Sequence, residues 1–268
     1  MNFLQPTAPR PDLPLFLFFP GMDGTGQLFT VQIPRLMDAF EIRCLAIPQT
    51  DQSDWETLVK KTIDLIEIER QTNPKREIYL CGESFGGCLA LLVAIFAPHW
   101  FSRLILVNPA SSIKQQPWLQ WGSYLTQWLP DWFYPSSVVG LLPFLAALGR
   151  IEASERQALL MAMKSVPQST SAWRLELLRL FQPSESELSR VNIPALVIAS
   201  GADRLLPSVL EARFLTEALP NAQMVVLPDS GHACLLENDI DLYTLIQAYC
   251  VSEESDRRAM ARLYTTDN

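Results

Sequence analysis

A serine between glycines, two histidines and a few aspartates are the residues with which this chain could do chemistry. The stretch Cys81-Gly82-Glu83-Ser84-Phe85-Gly86-Gly87 carries the spacing G-x-S-x-G, with an apolar run before it and an almost wholly apolar stretch after it. In that context the spacing describes a sharp strand-to-helix turn that lifts a serine oxygen off the end of a strand. Glycines on both sides let neighbouring backbone approach without a Cβ clash. The plainer reading is a strand-to-helix turn whose serine caps the helix. A serine hydroxyl is a weak nucleophile until a base takes its proton, and His99 and His232 are the two candidates. His99, in Ala-Pro-His-Trp, closes the helix after the serine and reads as a helix C-terminal residue. His232, in LPDSGHACL, follows the last strand-like run in a loop of small residues. It is the expected base.

An acid must hold that histidine in the tautomer that leaves a lone pair facing the serine. When the order along the chain is serine, acid, histidine, the acid belongs in the loop after the preceding strand. ASGADRLLP supplies Asp203 there. Asp229 competes, but it shares one short loop with His232, where it more naturally shapes a turn.

The glycine-rich stretch FFPGMDGTGQ, residues 18–27, also leaves an apolar run. It could cradle a phosphate or aim N–H groups at a developing oxyanion. The dinucleotide fingerprint fails on spacing, because Asp23 stands two residues after Gly21 where glycine is needed. The phosphate loop fails because Gln27 follows Gly26 where lysine is needed. Beside a serine turn, the loop reads instead as a source of oxyanion donors. Phe85, the residue after the nucleophile, supplies one N–H and Met22 the other, with Gly21, Asp23 and Gly24 shaping the loop.

Elements must position these groups. The runs at 15–20, 41–48, 77–82, 103–109, 195–201 and 223–228 are short, apolar and flanked by turn signals, as parallel strands buried on both faces are. Ser53-Asp54-Trp55-Glu56 is a capping-box pattern opening a helix to about residue 73, and 86–98 is an almost all-apolar helix. Alternating strands and helices imply an α/β fold with a parallel sheet of about six strands. Residues 112–190 break the alternation: they carry helical patterns and Trp118, Trp121, Trp128, Trp132 and Trp173. They are expected to form a helical cap over a core built from 1–111 and 191–268, with the first four tryptophans lining an acyl channel or packing inside the cap. The run 138–149 reads as a buried or interfacial helix, and the tail after about residue 252 as frayed.

Composition narrows the partners. A net charge of −8 argues against a nucleic-acid backbone. Five scattered cysteines without C-x-x-C suit free thiols in a reducing compartment. Two histidines without H-E-x-x-H leave a metal site short of ligands, and the chemistry needs no cofactor. No signal peptide or membrane-spanning run is evident. The expectation is a cytoplasmic protein, at most peripheral at a membrane.

With PGMDGTG, FEIRCLAIP, YLCGESFGGCLALLVA, LILVNPASS and the Asp203 and His232 loops in place, the chain resembles the α/β-hydrolase domain of the plant and cyanobacterial phytyl ester synthase / diacylglycerol acyltransferase family. The resemblance is close over about residues 15–112 and thinner over 192–235. It implies an α/β-hydrolase fold and chemistry on fatty-acyl esters of long-chain alcohols such as phytol or diacylglycerol, with Ser84, Asp203, His232 and the Gly21-Met22 loop as the site. Glu83 departs from the aspartate usual before the serine. An H-x4-D motif found further along the plant proteins has its nearest counterpart here in His232 to Glu237. The expected activity is hydrolysis of a lipophilic ester through an acyl-serine. The alternatives are transfer of the acyl group to phytol or diacylglycerol, and ligand binding by a non-catalytic homologue.

Overall fold

The computed structural model describes residues 1–111 and 134–250. The six apolar runs form strands: β2 (Leu15–Phe19), β3 (Glu41–Ala46), β4 (Ile78–Glu83), β5 (Arg103–Val107), β6 (Ala195–Ser200) and β7 (Ala222–Leu227). A seventh, β1 (Asn2–Leu4), escapes sequence reading because three residues are too few to show a pattern. The sheet order is β1-β3-β2-β4-β5-β6-β7, with β1 antiparallel to β3 and every other pair parallel. Continuous apolar strands follow from helices on both faces. In β2, Leu15, Leu17 and Phe19 enter one buried cluster, and Phe16 and Phe18 the other.

A short α1 (Ile33–Leu36) precedes β3, and two crossover helices carry the positions that matter. α2 (Trp55–Thr72) starts one residue later than the capping-box pattern suggests: the N-cap is Asp54, whose carboxylate accepts from Thr57 N at 2.9 Å. Ser53 is drawn elsewhere, its Oγ accepting from Lys61 Nζ at 2.9 Å. The apolar α3 (Phe85–Phe96) is buried along most of its length, as expected for a helix lying under a sheet.

Between β5 and β6 the described chain is helical: α4 (Tyr134–Leu145), α5 (Ala153–Ser165), α6 (Gln168–Leu180) and α7 (Glu185–Leu188). Trp118, Trp121, Trp128 and Trp132 lie outside the described residues, as does the tail beyond 250. α4 leaves Val139, Leu141 and Phe144 exposed. In contrast, Leu177 and Leu178 of α6, Phe181 and Leu188 are buried in the same cluster as β2 and β4. Trp173 Nε1 donates to Ser53 O at 3.0 Å, and Trp55 Nε1 donates to Leu177 O at 2.8 Å. These cross-links dock α6 onto the start of α2. α8 (Ser208–Ala218) joins β6 to β7, and residues 242–250 are helical.

Candidate active site

Strand order decides what meets at the carboxyl edge of the sheet. β2 and β4 are neighbours, with Phe19 paired to Gly82. The loop after β2 therefore emerges beside the turn after β4, at the point where strand order reverses and α/β sheets place their crevices. Continuing outward, β5, β6 and β7 deliver residues 108–111, 201–207 and 228–233 to the same edge.

Ser84 joins β4 to α3 with φ 54° and ψ −116°, a left-handed backbone that a side chain with a Cβ adopts only under constraint. The glycines explain how it is tolerated. A Cβ on Gly82 would lie 2.3 Å from Gly86 O, and one on Gly86 would lie 2.2 Å from Phe19 O. Any larger residue at either place would force the elbow apart. Behind it, Ser84 N donates to Val107 O at 3.0 Å and Ala110 N donates to Ser84 O at 3.1 Å, so the end of β5 braces the turn.

Three side chains from three loops then fall into line. Ser84 Oγ is 2.8 Å from His232 Nε2, and His232 Nδ1 is 2.7 Å from Asp203 Oδ2. An ionised Asp203 accepts from Nδ1–H, which leaves the Nε2 lone pair to accept the serine proton. Asp203 also accepts from Leu205 N at 2.8 Å, Leu206 N at 3.0 Å and the hydroxyl of Ser208. Burial pushes the Asp203 carboxyl up, but the His232 ring and these donors outweigh it and hold the acid below its ordinary 3.8. Burial pushes His232 down, and the charge and hydrogen bond of Asp203, with Glu83 adding to them, outweigh that and raise it above 6.5. Asp229 is exposed in its turn, and His99 is exposed beside Trp100.

The loop after β2 touches the serine. A Cβ on Gly21 would lie 3.8 Å from Ser84 Cβ. Among the described residues neither the Met22 nor the Phe85 amide donates a hydrogen bond, and Phe85 is the first residue of α3, where amides lack intrahelical partners. Two free N–H groups beside a serine oxygen suit a tetrahedral oxyanion. Asp23 is held within the loop, its Oδ2 accepting from Thr25 N at 2.8 Å and Thr25 Oγ1 at 2.5 Å.

Several residues here gave no clear sequence signal. Asn108, fully buried after β5 with φ 42°, donates to Ser200 Oγ at 2.8 Å and His232 O at 2.7 Å, and accepts from Ser200 N at 2.8 Å. It ties the ends of β5 and β6 to the histidine loop. An Asn-Pro pair after a strand hints at a turn, not at that reach. Glu237 supports the same loop, accepting from Gly231 N at 2.8 Å while Arg150 Nε donates to it at 2.6 Å. Its two oxygens are thus occupied in structure. Glu83, beside the serine, keeps Oε1 buried without a partner among the described residues. The thiols of Cys44, Cys81, Cys88 and Cys234 are buried, and burial raises all four well above the reactive range.

The family model described as serine aminopeptidase, S33, matches residues 48–239, from the end of β3 through the histidine loop. The chain belongs to this family of α/β hydrolases. Phytyl ester synthase 1, chloroplastic, of Arabidopsis thaliana is 37% identical over 263 residues, covering 89% of this chain and 37% of that protein. Phytyl ester synthase 2, chloroplastic, of the same plant is 30% identical over 273 residues, covering 92% of this chain and 39% of that protein. The chain thus spans under two fifths of the length of these relatives. Among solved structures, MenH from S. aureus superposes with a TM-score of 0.75 at 16% identity, covering 94% of this chain and 98% of that one, which speaks to the fold.

Proposed function

We propose that the protein is a serine-nucleophile hydrolase of lipophilic fatty-acyl esters. The observation that carries this reading is the hydrogen-bonded line from Ser84 through His232 to Asp203, set against two free amides. In this reading Ser84 Oγ attacks the ester carbonyl carbon while its proton passes to His232 Nε2. The Met22 and Phe85 amides donate to the oxyanion. The tetrahedral intermediate expels the alcohol, which takes the proton from His232, and leaves an acyl-Ser84. A water molecule, deprotonated by His232, then releases the fatty acid and restores the serine. Asp203 stays ionised and stabilises the imidazolium.

In this reading the segment between β5 and β6, described over residues 134–190, serves as a cap over the carboxyl edge of the α/β core. Ala233 N donates to Leu145 O at 2.7 Å, which ties the end of α4 to the histidine loop. Val139, Leu141 and Phe144, exposed on α4, suit weak peripheral contact with lipid, made through apolar burial because the net charge of −8 opposes anionic headgroups. Among the described residues no helix is long and apolar enough to cross a membrane. Free thiols suit a reducing, cytoplasmic setting.

A second reading has a specific observation behind it. Both Arabidopsis relatives are named as phytyl ester synthases, and an acyl-Ser84 can be resolved by an alcohol such as phytol in place of water. Incubating the protein with a fatty-acyl donor, with and without phytol, and separating the products distinguishes the two. Free acid alone supports hydrolysis, and a phytyl ester supports transfer. Failure of a fluorophosphonate to label Ser84 would remove both.

A further inference from the structure

Arg174 is among the largest fully buried side chains of the molecule, at 2% exposure. Burying a guanidinium is costly unless its donors are satisfied, and here the acceptors are two main-chain carbonyls, one of them in the glycine-rich loop. Nη1 donates to Met22 O at 2.5 Å and Nη2 to Pro48 O at 3.1 Å. The guanidinium carbon also stands 5.9 Å from the centre of the Phe85 ring. One side chain of α6 therefore hydrogen-bonds Met22 and stands over the ring of Phe85, the two residues whose amides are the candidate oxyanion donors.

The loop is held carbonyl by carbonyl. Gly24 N donates to Gly21 O at 3.0 Å, Arg174 donates to Met22 O, and Ile47 N donates to Gly24 O at 2.7 Å. In a trans peptide the C=O and the following N–H point opposite ways. Fixing the Gly21 carbonyl therefore fixes the Met22 amide, and fixing the Met22 carbonyl stops the central peptide of the turn from flipping. Gly24, at φ +67°, is shaped to this partner, since a Cβ there would lie 2.8 Å from Arg174 Nη1. α6 itself is anchored by Trp173, Leu177 and Leu178, so the arginine projects from a fixed element.

We propose that Arg174 is a positioning residue: from the inserted helix it locks the Met22 turn so that the loop's amide faces the oxyanion before substrate arrives. This rests on the serine-esterase reading above. Removing an oxyanion donor outright costs on the order of 10²–10³ in kcat. Loosening one costs less, so Arg174→Gln lowers kcat per active site by about 10- to 100-fold on a short p-nitrophenyl ester, with KM changed by less than about threefold. Affinity for a trifluoromethyl ketone, which places an oxyanion in the same site, falls by a similar factor, and Arg174→Lys, able to reach one carbonyl, recovers part of both losses.

The assay is active-site titration with a fluorophosphonate, followed by kinetics and ketone inhibition per titrated site. A merely structural arginine would reduce the titre and the melting temperature while leaving the kcat of each surviving site unchanged, and that result overturns the proposal. If Arg174→Gln does not fold, Arg174→Met, which keeps most of the side chain's bulk and removes every donor, gives the same kcat loss and weakened ketone binding per titrated site. Normal ketone affinity in Arg174→Met overturns the proposal. If the wild-type protein fails to label at Ser84, the esterase reading itself falls. If it labels and the variants match it per site, the Arg174 role alone falls.

Discussion

Glu83→Gln replaces a carboxyl group that sits beside the nucleophile with Oε1 buried and unpartnered among the described residues. Burial raises this group from an ordinary 4.5 to about 7, with Asp23 pushing the same way and His232 opposing. Between those two values the folded protein keeps a proton that the unfolded chain has lost. The contribution of Glu83 to stability therefore falls as pH rises from 4.5 to about 7 and is constant beyond. Every tenfold difference in proton affinity between the folded and unfolded chain is worth about 1.4 kcal/mol, so the full effect is about 3 kcal/mol, reduced to roughly 1–3 kcal/mol because part of the side chain reaches solvent. Glutamine has no such titration. The stability of Glu83→Gln relative to wild type should thus improve by that amount between about pH 4.5 and pH 8, a relative gain of roughly 2–8 °C in melting temperature. Urea unfolding of both proteins at the two ends of the range tests this, since groups that do not interact with Glu83 are common to both and cancel, while the lowered His232 of the variant acts in the same direction. Parallel pH profiles, within about 0.5 kcal/mol, would refute the claim that the elbow buries a costly charge.

Asp203→Asn should lower kcat by on the order of 10³–10⁴-fold while Asp229→Asn leaves it nearly unchanged, as measured by ester turnover per titrated site. Activity needs neutral His232, so kcat/KM should rise with pH through a midpoint above 6.5; loss of the Asp203 charge moves that midpoint down, and Glu83→Gln moves it in the same direction. Asn108→Ala strands the Ser200 amide and the His232 carbonyl and should cost about 2–4 kcal/mol in urea unfolding, with a loss of turnover as the histidine loop loosens. Replacing Trp118, Trp121, Trp128 and Trp132 with alanine should reduce turnover of long acyl esters and liposome co-sedimentation more than turnover of a short ester; equal losses with a lowered melting temperature would leave them a packing role.

What could be read along the chain was what is local along it. Apolar runs between turn residues announced the six parallel strands because burial on both faces leaves no polar alternation. The elbow was legible because its glycines, its serine and the helix it opens are contiguous. Asp203 and His232 could be nominated because each follows a recognisable strand in a fixed order. Local pattern also misled: Ser53 and Glu56 have capping-box spacing, but the helix caps on Asp54, and the Ser53 hydroxyl accepts from Lys61 instead. Burial periodicity says that a residue is inside, not what it meets there.

Partners far apart along the chain had to wait for the tertiary structure. That the glycine-rich loop lies against the serine follows from β2 and β4 being neighbours, an adjacency that strand order in the sequence does not state. Asn108 joins Ser200 and His232 across three loops, and Arg174 reaches back 152 residues to Met22. In the sequence both are polar residues in unremarkable surroundings. Only the folded chain removes water from around them, and a buried amide or guanidinium must then find its hydrogen bonds wherever packing has left carbonyls and amides in need of one.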